Sequence, residues 1–228
     1  MTLALVGSML ALLLTVMPVL PLNVLPGRAA SWPDWRLPAP LQPSGKRDLV
    51  YPSWFAGSWI VSSDDGTYPV RFAPGADGTV VGERAFNAAS VGRAVLGDAL
   101  LRVDNDPANP NRQLAALIND LLLESTVVAR RSEGLVEPEA DGLAGSEQAE
   151  FFADELALQV LHQPGAPPRI SRIETLSRYR LQSDGSIDGE QWQATYASPG
   201  SGLAAVPLRS AHWQLKLTPG APPDAHAS

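Results

Sequence analysis

The chain has 228 residues, with 17 Lys and Arg against 24 Asp and Glu, and no Cys. An acidic surface disfavours nucleic acid and anionic membrane faces, which reward clustered cations, and the absence of Cys excludes disulfides, thiolate metal sites, a thiol nucleophile and a lipid-modified Cys anchor. The length suits one domain with a core large enough to fold without cross-links.

Residues 3–16 are an uncharged apolar run, continued through Pro18, Pro21 and Pro26 to Gly27-Arg28-Ala29, where small residues flank a candidate signal-peptidase site. The expectation is a leader over residues 1–29, although no Lys or Arg precedes the apolar run as an export signal usually requires. An uncleaved anchor over residues 3–25 competes with it, weakened by Pro18 and Pro21 within it and Pro26 just after it. Residues 30–50 then carry Pro33, Pro38, Pro40 and Pro43 among Trp32, Trp35 and Leu37. That composition predicts an extended arm, either packed on its own domain or docked on a partner.

The body is expected over residues 51–218, with a disordered tail over 219–228. It opens on Phe55-Ala56-Gly57-Ser58-Trp59-Ile60-Val61. At period two, Gly57, Trp59 and Val61 share a face, and a Trp on the first strand can plug a barrel if its indole N–H finds an acceptor. Strands are predicted at 57–63, 68–73 and 79–85, then at 100–104, 113–118, 122–131, 170–182, 187–197 and 210–217, with turn residues between them. A short helix is expected over 87–96, with Asn87 as its cap and Gly97 as its stop. Residues 151–161 fit both periods, and a turn of helix running into a strand is the reading adopted. The fold class predicted is mainly β: an antiparallel up-and-down barrel with one or two short helices.

Alternation then nominates an interior. Ala211, Trp213, Leu215 and Leu217 form one face of the last strand, and Trp192, Ala194 and Tyr196 one face of the strand before it. Arg84 shares a side with Phe86, and an inward Arg needs a carboxylate or several carbonyls. Glu124 or Glu174 is the expected partner for Arg84 or Arg130, in an ion-pair network or in a clamp on a ligand carboxylate. The candidate cavity lining is therefore Trp59, Phe72, Arg84, Phe86, Thr126 and Arg130, with Glu174, Tyr179, Trp192, Tyr196 and Trp213.

Three stretches together resemble a known group. Tyr51-Pro52-Ser53-Trp54-Phe55-Ala56-Gly57-Ser58-Trp59, Glu83-Arg84-Ala85-Phe86-Asn87 and Leu123-Glu124-Ser125-Thr126-Val127-Val128-Ala129-Arg130-Arg131 look like an uncharacterised family of cyanobacterial and plastid proteins. The resemblance implies a calycin-like barrel and residence in the thylakoid lumen or periplasm. It carries over no catalytic residue and no ligand. Trp54-Phe55-Ala56-Gly57-Ser58-Trp59 is also similar to the lipocalin first-strand motif, but the remaining lipocalin motifs are missing, so carrier function does not follow.

Chemistry has little purchase. His162, His212 and His226 lack metal-ligand spacing, and no Ser/His/Asp set or Gly-rich phosphate loop can be assembled. Asp64 with Asp65, Asp104 with Asp106, and Glu137 with Glu139 lie in turn-forming sequence, where acids cap and solvate. The expected function is that of a non-enzymatic exported barrel protein, binding an apolar small molecule such as a pigment, quinone or lipid. The alternative is an auxiliary protein that docks a photosynthetic membrane complex through its arm and loops. An enzyme, with Tyr179, Glu174 and Arg130 converging, ranks third, and no cofactor is indicated.

Overall fold

The computed structural model describes residues 24–134 and 149–221. Residues 1–23 of the expected leader, the Glu137/Glu139 pair, His226 and residues 222–228 of the expected tail lie outside them. A short helix, α1 (Val24–Ala30), leads into the Pro-rich arm, which carries two-residue strands β1 (Gln42–Pro43) and β2 (Val50–Tyr51). A first meander follows: β3 (Gly57–Ser63), β4 (Gly66–Pro74) and β5 (Val80–Gly82). Helix α2 (Arg84–Leu96) separates it from a second meander. That one comprises β6 (Leu100–Asp106), β7 (Asn109–Leu117), β8 (Leu122–Glu133), β9 (Glu150–Gln163), β10 (Ala166–Leu181), β11 (Ile187–Tyr196) and β12 (Arg209–Pro219).

All neighbouring strands are antiparallel, in the order β2-β5-β4-β3-β12-β11-β10-β9-β8-β7-β6, and β1 adds to β8 at Arg130 and Ala129. The seam between the meanders is β12 on β3, where Leu217 faces Val61. The sheet curls without closing: among the described residues β2 and β6 remain its two ends. Helix α2 packs on β4 from one side and on β6 and β7 from the other, so it stands as a helical stave in the gap. The architecture is thus a half-barrel completed by a helix. A strand there would need two long partners, and β5, only three residues long, offers none.

Several boundaries differ from the sequence reading for identifiable reasons. The strand expected over 79–85 stops at Gly82, and the helix begins at Arg84. Asn87 does not cap it. Its Oδ1 accepts from the Arg71 backbone N–H at 2.7 Å and its Nδ2 donates to the Arg71 carbonyl at 2.9 Å, so one side chain satisfies the edge of β4 where β5 has ended. Residues 150–163 are strand throughout, because β8 and β10 pair with them on both sides and two ladders outweigh a local helical period. The turn-rich 105–111 segment tightens into a hairpin at Pro107 and Ala108, with Asp106 Oδ1 accepting from the Ala108 N–H at 2.8 Å. Asn119 and Asp120, both at positive φ, make the turn expected between β7 and β8.

The sheet has a core on each face. Adjacent residues Phe151 and Phe152 point to opposite sides and are both buried, one in each core. The concave core joins Trp59, Val61, Val70 and Phe72 to Phe151 and Ile187. The convex core sits beneath the arm and joins Leu25, Trp35 and Leu37 to Leu176, Trp192 and Tyr196. The arm therefore packs on its own domain. Helix α1 packs with it, although the sequence reading placed residues 24–29 in the leader.

Candidate functional site

On the concave side the closed end is filled with aromatic rings. Phe55 is fully buried, and Tyr51, Trp54, Phe72 and Tyr179 lie 4.5–5.1 Å from it between ring centres. Trp59 donates its indole N–H to the Phe55 carbonyl at 2.7 Å, which supplies the acceptor a buried Trp requires. The rings fill the interior here, and a groove of about 490 Å³ opens beside them, lined by Trp54, Gly57, Ser58, Trp59, Pro219 and Gly220.

Beyond the plug, the charges expected inside the barrel do form a network, with partners other than those predicted. Arg84 donates to Asp48 at 2.6 Å and to Glu155 at 2.9 Å, and Arg130, directly opposite Glu155 across β8 and β9, lies 3.2 Å from it. Arg130 also donates to Asn111 Oδ1 and to the Arg47 carbonyl, while the fully buried Asn111 donates to the Gly45 and Arg47 carbonyls. Burial opposes the Arg84 charge, but Glu155 and Asp48 outweigh it and hold the group above its ordinary value. At Arg130 burial prevails and lowers the value. The network ties the arm, the start of α2, β8 and β9 together, which suits an anchor of curvature better than a clamp on a ligand. Glu124 belongs elsewhere: it accepts from Arg112 at 2.7 Å and stands 3.1 Å from His162.

All four tyrosines of the chain lie above their usual value, with burial the leading cause in each; Tyr179 is pushed up to about 12. An unfolded tyrosine loses its proton near pH 10 while a folded one retains it, so the folded state binds more protons and stability falls as pH rises past about 10. Alkaline titration followed by phenolate absorbance is expected to show no step near pH 10 while the fold persists, then joint ionisation with loss of structure. A free phenolate step at pH 10 would contradict this burial.

The convex side holds another part of the predicted lining. Glu174, Trp192 and Tyr196 do not face the interior; they lie under α1 and the arm. Arg28 reaches down from α1, its Nε donating to Glu174 Oε1 at 2.8 Å and its Nη2 to Oε2 at 2.7 Å, and Tyr196 donates its hydroxyl to Oε2 at 2.7 Å. The guanidinium also lies 4.7 Å from the Trp35 ring centre. Asp154, fully buried, joins this cluster. Trp192 stacks on His212 at 5.3 Å, and Trp32 of the arm lies 5.7 Å from the same imidazole. Thr126 pairs opposite Leu158 on this face, Phe86 packs under the Arg71 guanidinium at 4.0 Å, and half-buried Trp213 donates to Asp65 at 2.5 Å.

The eleven candidates therefore do not share one cavity. Trp59, Phe72 and Tyr179 form the concave plug and its surroundings, Arg84 and Arg130 the network, and Glu174, Trp192 and Tyr196 the floor beneath the arm. Two further grooves lie beyond the plug. One, of about 710 Å³, runs between residues 42–50 and 75–81 past Lys46, Arg47 and Asp77; Arg130 lines it with both terminal nitrogens bonded to protein acceptors. The other, of about 400 Å³, lies on the convex face between the arm and the β11–β12 loop, walled by Leu37, Leu41, Val128, Leu156, Leu158 and Leu203. Arg172, 6% exposed, pins that loop by donating to the carbonyls of Ala197, Gly202 and Leu203 at 2.8–3.0 Å. Sequence reasoning missed Arg28, Asp48, Asn111, Asp154, Glu155 and Arg172. Only Asp154 and Glu155 carried a signal, as acids inside an otherwise apolar alternation.

Among the described residues no three His, Asp or Glu side chains gather as metal ligands, and no helix is long and apolar enough to cross a membrane. The family described as Domain of unknown function (DUF6816) matches residues 63–203. The chain belongs to that family. No curated protein and no solved structure matches it. The DUF6816 segment runs from the end of β3 to the β11–β12 loop, and so contains Arg84, Arg130, Asp154, Glu155 and Glu174, whereas Arg28, Asp48 and Trp59 precede it.

Proposed function

We propose that this DUF6816 protein is a non-enzymatic, exported binding module that takes an apolar small molecule of the pigment, quinone or lipid class in the convex groove beneath its arm. The observation that carries this reading is the groove itself. Its volume of about 400 Å³ falls within the range of small-molecule sites, and six aliphatic side chains from arm, sheet and loop wall it. Leu203, 77% exposed, is an apolar lid residue with nothing on it. Its one cation, Arg172, donates from each of its three nitrogens to a backbone carbonyl, which commits it to the loop and disfavours an anionic head group. Export to a thylakoid lumen or periplasm rests on the apolar leader and on the resemblance to cyanobacterial and plastid sequences.

The test is titration of the purified protein with a short-chain alkyl quinone, read by quenching of Trp fluorescence and by native mass spectrometry. Saturable one-to-one binding is expected, weakened at least tenfold by Leu158→Glu, since burying an unpaired carboxylate against the alkyl chain costs several kcal/mol. Equal binding by wild type and variant would remove the groove from the reading. A second reading has its own observation: Leu203, Val206 and Leu208, at 77%, 56% and 67% exposure, form an apolar loop suited to docking a membrane complex. It would replace the first if no ligand bound while Leu208→Asp abolished assembly with that complex.

A further inference from the structure

Asp154 on β9 and Glu174 on β10 are both 0% exposed and share the convex face, diagonal neighbours at a register where Asp154 opposes Leu176 and Glu174 opposes Leu156. Glu174 accepts from Arg28 and Tyr196, but no donor reaches either oxygen of Asp154. The other charged groups around the pair are engaged elsewhere. On β8, Arg131 lies across from Asp154 and donates to Glu133 at 2.6 Å; on β10, Arg172 is held by carbonyls and Arg178 by Glu190; Glu155 points to the opposite face, toward Arg84. Of the two sealed carboxyl groups, Glu174 is bonded to the Arg28 guanidinium and Asp154 to no donor, and a buried oxygen pair without a donor is costly.

We propose that Asp154 and Glu174 form a proton-binding site, and that occupancy of this site is coupled to docking of helix α1 on the sheet. With one proton present, the Asp154 hydroxyl donates to a Glu174 oxygen, supplying the missing hydrogen bond, and Arg28 balances the single remaining negative charge. Without it, two anions lie on neighbouring strands and Arg28 bonds to only one of them. The relief available is for α1 to lift and admit water. Burial first, then the Glu174 charge, push the Asp154 carboxyl well above its usual range. The sign follows: docking takes up a proton at pH values between the ordinary Asp value near 4 and the raised one. Docking therefore weakens as pH rises through that interval, by up to about tenfold per pH unit for one proton. The proposal does not rest on a ligand in the groove, although Leu156, opposite Glu174, is one of the groove's walls.

Hydrogen exchange of the residue 24–36 amides, followed by mass spectrometry on the full chain and corrected for the intrinsic pH dependence of exchange, tests the coupling. In the wild type the protection of α1 is expected to fall steeply from pH 5 to pH 8. Asp154→Asn, an isostere with a permanent donor toward Glu174, is expected to hold protection nearly constant. A slope unchanged by Asp154→Asn would overturn the proposal. Infrared spectroscopy of the wild type at neutral pH gives a second reading that needs no variant: the C=O stretch of a protonated carboxylic acid is expected, and its absence would equally overturn the proposal.

Discussion

Replacing Arg28 by alanine is expected to destabilise the folded protein by about 3–5 kcal/mol, the usual cost of leaving a buried charge without its partner. Glu174 would lose both of its guanidinium donors, in a site where it and Asp154 are fully buried. The loss goes beyond charge, because the Arg28 guanidinium also lies against Trp35 and donates to the Arg36 carbonyl. For a chain of this size each kcal/mol moves the Tm by about 2–4 °C, so a fall of about 10 °C in thermal unfolding is expected. Arg28→Lys keeps the charge but not the two-pronged geometry and should lie between the two. A chain beginning at Ala30 loses the fully buried Leu25 as well, and is expected to be less stable than Arg28→Ala, whereas one beginning at Val24 keeps both anchors. If the chains beginning at Val24 and Ala30 melted together, helix α1 would contribute nothing to the domain. If they separate as expected, leader removal after Ala29 would strip the mature protein of the cation its buried acid cluster needs.

That outcome bears on how the fold divides its work. A curled sheet has two faces, and this one uses both as core. The concave face turns aromatic rings inward at its closed end, and the convex face is covered by the arm instead of by solvent. The sequence announced the first of these arrangements but hid the second. Alternation on β3, β4 and β12 showed which residues share a face, and placed Trp59 and Phe72 correctly among the buried aromatics. Alternation cannot say which face curls inward. Trp192, Ala194 and Tyr196 form as apolar a stripe as any interior strand, yet their stripe is the floor for Leu25, Trp35 and Leu37. Prolines 33, 38, 40 and 43 predicted an extended arm, because local φ restriction is written residue by residue. The partners of Arg84, Arg130 and Glu174 were not legible, since each comes from an element far away in the chain. Arg28 and Glu174 are 146 residues apart, and Arg84 and Glu155 are 71 apart. Closure by helix α2 was hidden for the same reason: residues 87–96 read as a short helix at the barrel mouth, but only the sheet order shows that it spans two unpaired edges.

Phe55→Ala is the second large effect. Phe55 is 0% exposed and contacts five aromatic rings drawn from β2, β4, β9, β10 and its own turn, so it is the ring through which both flanks of the curled sheet meet. Truncation removes six buried carbon atoms at a site where the surrounding rings, fixed on separate strands, have little room to collapse. A loss of about 3–5 kcal/mol in chemical denaturation is expected, while Phe55→Leu, which retains much of the volume, should cost distinctly less. The backbone carbonyl that accepts from Trp59 is unaffected by either change, so the difference between the two variants isolates packing from the hydrogen bond. An apolar void of this kind stays dry and accepts small aromatic molecules. Adding benzene is therefore expected to restore part of the stability of Phe55→Ala and none to the wild type. Should Phe55→Ala lose less than about 1 kcal/mol, the concave rings would have repacked around the gap, and the curvature of the sheet would have to be held chiefly by the Arg84, Glu155, Arg130 and Asp48 network.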